Sequence, residues 1–273
     1  MLPCSQSKSI ALSIAGSDPS GGAGIQADIK TFHSFGVHGL TAITCVTSQV
    51  PGKVINIEPV SVNALKTQID TLFSEYKISA IKTGLLVSSD LIEVLISSLD
   101  NGRIDAPLVV DPVMISTSGT KLLNVDALSL YIEELIPRST LYTPNLSEAA
   151  TLLGIESKDV NDPAECANLL YQKYGSSVLL KGGHFKSTMA TDFLVDESGI
   201  KSFSKPFSEK IPAHGTGCTY SASICACIAK GLNLHDSILK SKNYISKSID
   251  RSFELTSGHF TLNHDTDGSK PPQ

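Results

Sequence analysis

The stretch from Ser9 to Phe35 reads Ser-Ile-Ala-Leu-Ser-Ile-Ala-Gly-Ser-Asp-Pro-Ser-Gly-Gly-Ala-Gly-Ile-Gln-Ala-Asp-Ile-Lys-Thr-Phe-His-Ser-Phe. A short apolar run comes first, and a glycine-rich loop follows it from Gly16 to Gly24. Apolar residues then recur three or four positions apart, which is the spacing of one helix face: Ile25, Ile29, Phe32 and Phe35. This order predicts a strand, a tight loop and a helix.

Short apolar runs alternate with helical spacing along most of the chain. Runs such as 108–110 and 178–180 are apolar on both faces, which indicates parallel strands covered by helices on both sides. The pair 191–196 and 200–204 is the one clear antiparallel element in the pattern, and we place it near the sheet edge. The sequence therefore predicts an α/β fold with a mainly parallel sheet. The other predicted strands are 9–15, 40–48, 78–83, 107–111, 139–143 and 177–181, and the last two predicted helices are 217–230 and 236–253.

Length and composition favour a single domain. The chain has 273 residues, of which 41% are hydrophobic and 18% charged, which is ordinary for a globular protein with a sizeable core. No internal repeat or linker interrupts the alternation. We expect an N-terminal segment over 1–8, one domain over 9–262 and a loose polar tail over 263–273.

Charge and cysteine spacing exclude several classes of function. The formal net charge is -5 and no basic run is present, so we expect neither nucleic acid nor an anionic membrane as a partner. No signal peptide and no membrane-length apolar run is evident, and the six cysteines lack paired C-x-x-C spacing. His214, Cys218, Cys225 and Cys227 are not expected to bind zinc, because Cys225 and Cys227 point to different helix faces. We expect a cytoplasmic protein without disulfides.

Polar or glycine-rich segments follow six of the predicted strands. Ligands of open α/β sheets gather outside the carboxyl ends of the strands, so these segments predict one shared site. They are Gly16–Gly24, Ser48-Gln49, Lys82-Thr-Gly84, Asp111-Pro-Val113, Thr143-Pro-Asn145 and Lys181-Gly-Gly-His184.

The segment His214-Gly-Thr-Gly-Cys218 precedes a run of small and apolar residues and predicts an anion cradle. Gly215 and Gly217 flank Thr216 and let successive N–H groups turn into one concavity, where the following helix adds the positive end of its dipole. Negative charge is favoured there, so the position favours the thiolate form of Cys218. Such a site suits phosphoryl transfer. The alternative is a strand-to-helix turn with a buried cysteine.

No Walker A and no G-x-G-x-x-G pattern follows the first strand. If the protein uses ATP, the 214–218 cradle must therefore hold its phosphates.

Four motifs resemble one known family. Ile14–Phe32, Thr143-Pro-Asn-Leu-Ser-Glu-Ala149, Lys181-Gly-Gly-His184 and His214–Cys218 stand in the order and approximate spacing of hydroxymethylpyrimidine/phosphomethylpyrimidine kinases of thiamine biosynthesis. The resemblance spans about residues 9–255. It implies a three-layer α/β/α ribokinase-like fold with a small antiparallel edge element. It also implies ATP-dependent phosphorylation of 4-amino-5-hydroxymethyl-2-methylpyrimidine, and then of its monophosphate, with Mg²⁺.

The resemblance also implies roles for individual residues. Cys218, Gly215, Thr216 and Gly217 match the catalytic segment. The residues that match the pyrimidine site are Gly16, Ala23, Asp28, Gln49, Leu85 and Val113. Those that match the nucleotide side are Lys181, Asn145 and Lys242, and those that match the magnesium network are Asp111 and Glu148.

Several of these residues have ordinary structural alternatives. Gln49 can pair with an aminopyrimidine edge, or it is a surface amide at a strand end. Asp28 or Lys181 alone would be read as a solvated side chain. Asn145 and Glu148 have the spacing of a capping box, a role that is compatible with ordering a metal.

Two departures from the family bear on specificity. Leu85 replaces the usual Met beside the substrate ring, and 257–264 replaces a Gly-Pro-rich run. Pyridoxal or pyridoxine kinase is the alternative enzyme, and a non-catalytic pyrimidine-binding regulator is the alternative outside enzymes. We expect a homodimer that binds a small molecule and ATP.

Overall fold

A computed structural model describes residues 8–102, 105–114, 123, 125–183, 188–208, 214–256 and 258–266. Its centre is a nine-stranded sheet in the order β3-β2-β1-β4-β5-β6-β7-β8-β9. Six neighbouring strands within it run parallel to one another: β2, β1, β4, β5, β6 and β7. The strands are β1 (Ile10–Ser17), β2 (His38–Val50), β3 (Lys53–Pro59), β4 (Ala80–Thr83), β5 (Leu108–Val110), β6 (Leu141–Tyr142), β7 (Val178–Leu180), β8 (Met189–Asp196) and β9 (Gly199–Pro206).

Helices cover both faces of this sheet. The first face packs α2, α3, α5 and α6 against a core that includes Ile14, Ile81 and Leu170. The second face packs α1, α7 and α8 against a core that includes Phe32 and Ile224. This is the predicted three-layer α/β/α architecture. The helices are α1 (Gly24–Ser34), α2 (Val62–Glu75), α3 (Ser89–Asn101), α4 (Val125–Leu130) with a π-helical turn (Tyr131–Leu135) and a 3-10 turn (Ile136–Arg138), α5 (Leu146–Leu153), a 3-10 turn (Ser157–Asp159), α6 (Pro163–Tyr174), α7 (Thr216–Ala229) and α8 (Leu234–Asp250).

Antiparallel strands lie at both edges of the sheet, not at one. The β8–β9 hairpin forms one edge as predicted, but β3 pairs antiparallel with β2 at the other. Pro51 and Gly52 make the turn between them, with Gly52 at φ 80°. The sequence did not reveal β3 because neither of its faces is buried, so its apolar residues form no one-sided pattern.

The C-terminal region departs from the prediction in two respects. Helix α8 ends at Asp250, and a small hairpin of β10 (Phe253–Thr256) and β11 (His259–Thr261) follows it. Asn263 to Thr266 were expected in a loose tail, yet Thr266 is buried and the Asn263 N–H donates to the Ser248 carbonyl. Among the described residues, no helix is both long and apolar enough to cross a membrane.

An ion pair is completely buried between β1, β4 and α1. The Lys82 ammonium lies 2.9 and 2.8 Å from the two carboxylate oxygens of Asp28, and neither side chain is exposed. The Ser13 hydroxyl donates to the same carboxylate at 2.5 Å. We expected Lys82 at the polar rim, but its side chain points into the helix–sheet interface. Its charge is therefore part of the core.

We predict that Lys82→Ala costs about 3–5 kcal/mol of the free energy of unfolding, because it leaves Asp28 buried without its counter-charge. Asp28→Leu combined with Lys82→Met should recover most of that loss, since an apolar pair of similar volume removes both charges. Urea unfolding measures all three proteins.

Lys66 provides the control, because it forms an exposed ion pair with Asp70 on α2. Lys66→Ala should change the free energy of unfolding by less than ~1 kcal/mol. Equal losses for Lys82→Ala and Lys66→Ala would show that burial adds nothing to the Asp28–Lys82 pair.

Candidate functional site

The cradle predicted at 214–218 lies where two loops meet at the carboxyl edge of the sheet. Gly215 precedes α7 at φ 85°, in the left-handed region that glycine adopts without strain. A Cβ on Gly215 would lie 1.7 Å from the Gly22 carbonyl oxygen, so the two loops touch backbone to backbone. The N–H groups of Thr216, Gly217 and Cys218, in the first turn of α7, have no partner within the helix and remain available to an anion.

Cys218 stands where the N-termini of two helices converge. It belongs to the first turn of α7, and the backbone N–H of Gly24, the first residue of α1, lies close enough to the thiol to lower its pKa. Burial nevertheless raises the pKa of the thiol to about 11, although Lys82 opposes the rise. Asp111 and Asp28 add to it. In the ligand-free protein, burial therefore opposes the thiolate that a helix N-terminus favours.

Lys181 and Asp111 form an ion pair beside the cradle. The Lys181 ammonium lies 2.9 Å from Asp111 Oδ1 and 3.3 Å from where a Cβ on Gly217 would stand. Burial alone would raise the pKa of Asp111, but Lys181 and Lys82 lower it below its usual range. The Ser221 hydroxyl donates to the other carboxylate oxygen at 3.0 Å. Lys181 is thus held at the cradle and is not a solvated lysine.

Asn145 and Glu148 form the capping box that their spacing predicts. The Glu148 N–H donates to Asn145 Oδ1 at 3.0 Å, and the Asn145 N–H donates to Glu148 Oε2 at 2.7 Å. Burial, together with the negative charge of Asp111, raises the pKa of Glu148 to about 7 against the opposing effect of Lys181. The positive charge near Asp111 and Glu148 is therefore too small to keep both carboxylates fully ionised.

The structure tests whether this carboxylate pair suits Mg²⁺. Among the described residues, no group of three or more His, Cys, Asp or Glu side chains is arranged to hold a metal ion. Mg²⁺ is commonly bound by one or two carboxylates, with water and substrate phosphates completing its shell. Asp111 and Glu148, with their excess of negative charge, fit that mode and not an all-protein cage.

Two residues of the expected pyrimidine side, Gly16 and Leu85, meet beside β1 and β2. A Cβ on Gly16 would lie 2.7 Å from the Cys45 sulfur and 3.7 Å from Leu85 Cδ2. The Thr44 hydroxyl donates to the Leu85 carbonyl at 2.6 Å and fixes that segment. Gly16 and Leu85 therefore line the same space and form one wall of it, the Gly16–Leu85 wall.

Asp18 joins the loops around the site, a role that the sequence did not reveal. Its carboxylate accepts hydrogen bonds from the N–H groups of Gly22 and Ala23, and His214 Nε2 lies 3.1 Å away. Burial raises the pKa of Asp18, but hydrogen bonds from His214 and from Gln49 help to lower it well below its usual range. Gln49 and Ala23, both predicted site residues, therefore lie around one carboxylate. Asp18 and His214 stood inside quoted motifs, but nothing in the sequence indicated that they pair.

Two predicted site residues are instead enclosed by protein. Asp28 has no exposed surface, so the alternative of a solvated helix carboxylate is wrong; its carboxylate faces Lys82 below the pyrimidine side. Lys242 is 6% exposed, and its ammonium lies 2.7 Å from Asp192.

Val113 is partly exposed two residues beyond Asp111. His184 of the quoted motif lies outside the described residues.

Comparison with known proteins shows the family to which the chain belongs. The sequence profile of the family described as phosphomethylpyrimidine kinase matches residues 18–263. The hydroxymethylpyrimidine/phosphomethylpyrimidine kinase of Bacillus subtilis (strain 168) is 38% identical over 255 residues, covering 93% of this chain and 94% of that protein.

Two solved structures share the fold at substantial identity. Pyridoxal kinase of Bacillus subtilis, solved as an ADP complex, superposes with a TM-score of 0.86 at 32% identity, covering 95% of this chain and 98% of that chain. Phosphomethylpyrimidine kinase from Clostridium difficile 630 has a TM-score of 0.77 at 36% identity, covering 89% of this chain and all of that one. The cradle, the partly buried thiol and the paired carboxylates thus occur in a chain that belongs to the phosphomethylpyrimidine kinase family, a family of phosphotransferases.

Proposed function

We propose that this protein uses ATP to phosphorylate the hydroxymethyl group of 4-amino-5-hydroxymethyl-2-methylpyrimidine, and then its monophosphate, in thiamine biosynthesis. The observation that carries the proposal is the meeting of Cys218 and Lys181 at an N–H cradle, next to the Gly16–Leu85 wall. The family relationship supports the pyrimidine as substrate.

Phosphoryl transfer depends mainly on positioning and on stabilising charge at the transferring group. In our proposal the N–H groups from Thr216 to Cys218 bind the γ-phosphoryl oxygens, and the Lys181 ammonium neutralises them. Gln49 and Leu85 orient the ring so that its hydroxymethyl oxygen reaches Cys218. The Cys218 sulfur, as thiolate, accepts the hydroxyl proton.

Asp111 and Glu148 would hold Mg²⁺ beside this cradle, and Asn145 would keep Glu148 oriented through the capping box. When bound, Mg²⁺ supplies positive charge to the phosphate oxygens. The pKa of about 7 at Glu148 supports this proposal, because a carboxyl that is hard to ionise in the free protein gains from a neighbouring cation.

A second candidate substrate is pyridoxal. The TM-score of 0.86 to a pyridoxal kinase favours it, whereas the 38% identity to a pyrimidine kinase, against 32% to that pyridoxal kinase, favours the pyrimidine. A non-catalytic regulator is disfavoured, because Cys218, Lys181 and both carboxylates are kept in one place.

We also propose a cytoplasmic homodimer. Free thiols support the location, because disulfides persist mainly in oxidising compartments; they are Cys45, Cys166, Cys218, Cys225 and Cys227. Exposed apolar side chains on the β2–β3 edge, Val46, Val50 and Ile55, support contact with a second copy.

The first prediction is that purified protein with Mg-ATP converts the hydroxymethylpyrimidine to its monophosphate and then its diphosphate. Mass spectrometry of the products measures both steps, and omitting Mg²⁺ should abolish both. Efficient phosphorylation of pyridoxal, with neither pyrimidine converted, would replace the proposed function by the second candidate.

The second prediction concerns pH. If Cys218 accepts the proton as thiolate, kcat/KM for the pyrimidine should rise about tenfold per pH unit between pH 7 and 9, because its pKa of about 11 lies above that window. Alkylation of Cys218 by iodoacetamide, followed by peptide mass spectrometry, should rise with the same slope and be blocked by bound pyrimidine.

Two variants isolate the thiol. Cys218→Ala should lose on the order of 10² to 10⁴ in kcat and bind both ligands normally. Cys218→Asp should recover part of the activity without the rise, because a carboxylate is already ionised at pH 7. A Cys218→Ala enzyme with normal kcat across this range would show that the base lies elsewhere.

The third prediction separates the two halves of the site. Gln49→Leu should lower kcat/KM for the pyrimidine by an amount equivalent to about 1–3 kcal/mol, because the polar ring edge loses its partners, while the KM for ATP stays unchanged. Lys181→Ala should do the reverse.

Gln172→Leu is the matched control for Gln49→Leu, because Gln172 is an exposed glutamine on α6. It should leave both constants unchanged. Calorimetry that found pyrimidine binding lost in Lys181→Ala and intact in Gln49→Leu would mean that the two halves are reversed.

A further inference from the structure

Asp192 is a buried carboxylate in the middle of β8, and no sequence motif indicated it. Only 2% of the residue is exposed. Its Oδ2 accepts hydrogen bonds from the Tyr220 hydroxyl at 2.9 Å and from the Lys242 ammonium at 2.7 Å. Its Oδ1 accepts one from the Gly182 N–H at 2.8 Å. Both carboxylate oxygens thus accept hydrogen bonds, and Oδ1 binds the loop that contains Gly182.

That loop carries Lys181 into the site. A Cβ on Gly182 would lie 1.6 Å from the Thr191 carbonyl oxygen, so the backbone of the loop rests directly on β8. One residue earlier, the Lys181 N–H donates to the Pro144 carbonyl at 2.8 Å. The backbone at 181–182 is therefore held from two sides, by Pro144 in the segment that follows β6 and by Asp192 in β8.

Lys242 is occupied by this carboxylate. Its side chain is 7% exposed and that of Asp192 is 3% exposed, so each supplies the other's buried counter-charge. The ammonium also lies 5.9 Å from the centre of the Tyr220 ring. Family resemblance assigns Lys242 to the nucleotide side, but its place here is behind the loop.

We propose that Asp192 is a positioning residue for the nucleotide, acting through Gly182 to keep the Lys181 ammonium at the cradle. Lys242 and Tyr220 act through Asp192, as the charge and the hydroxyl that let a carboxylate remain buried there. The inference rests on the proposed role of Lys181 in binding ATP phosphates. On this proposal, ATP binding requires the hydrogen bond that the Gly182 N–H donates to residue 192, and it does not require the charge of Lys242.

Two double variants separate these contributions. Asp192→Asn with Lys242→Met removes the charges but keeps an oxygen for the Gly182 N–H and an amide for the Tyr220 hydroxyl. Asp192→Leu with Lys242→Met removes the same charges and also the acceptor, at similar volume. Both avoid leaving a lone buried charge, which would threaten folding.

We expect the Asn/Met variant to bind ATP within about threefold of the wild-type affinity, measured by calorimetry without the pyrimidine. The Leu/Met variant should bind ATP about tenfold or more weakly, because the N–H that holds the loop has lost its partner. Pyrimidine affinity should stay unchanged in both. Asp192→Ala with Lys242→Met replaces the Leu/Met variant if thermal unfolding shows that the latter does not fold.

Asp196→Asn is the matched control, because Asp196 lies at the far end of β8 and its carboxylate accepts hydrogen bonds from Ser198, two residues further along the chain. Equal losses of ATP affinity in both double variants would overturn the proposal, since they would make the Lys242 charge the determinant. Normal ATP affinity in both would overturn it as well.

Loss of pyrimidine and ATP binding together would show that Asp192 only supports the fold. The wild-type turnover assay tests the proposed function separately. If wild-type protein converted neither pyrimidine, the two ATP affinities would still decide the role of Asp192.

Discussion

The buried pair of Asp28 and Lys82 is the constraint on which the site depends. Two opposite charges without exposed surface are tolerated only when their geometry is held, because desolvation costs several kcal/mol for each ion. Holding it fixes α1 against β1 and β4, and α1 begins at Gly24, whose backbone N–H lies close enough to the Cys218 thiol to lower its pKa. The position of the Cys218 sulfur is therefore coupled to an ion pair inside the core.

The layered fold could be predicted because its signals are local and redundant. Strands buried on both faces are continuously apolar, helices repeat every three or four residues, and glycine marks the turns. The edge strand β3 escaped because a strand exposed on both faces carries no such pattern. The capping box of Asn145 and Glu148 could be predicted because both partners lie within one turn of sequence.

The partners of the site's charged residues could not be predicted, because they are far apart in the chain. Lys242 and Asp192 are separated by 50 residues and His214 and Asp18 by 196, so only the tertiary structure shows that they meet. The pKa of Cys218 is a similar case. Sequence indicates the helix N-terminus that favours a thiolate, but not the burial that opposes it.

The balance of buried charge supports the proposal that a cation binds in this site. Two lysines face three carboxyl groups here: Lys82 and Lys181 against Asp28, Asp111 and Glu148. Positive charge is therefore one short, and the effect falls on Glu148, whose pKa is raised to about 7. The phosphates of ATP would bring further negative charge to the same edge of the sheet. The lysines are already committed to Asp28 and Asp111, so they cannot neutralise it alone. A divalent cation shared by the carboxylates and the phosphates would restore the balance, and it would allow Glu148 to ionise when the nucleotide binds.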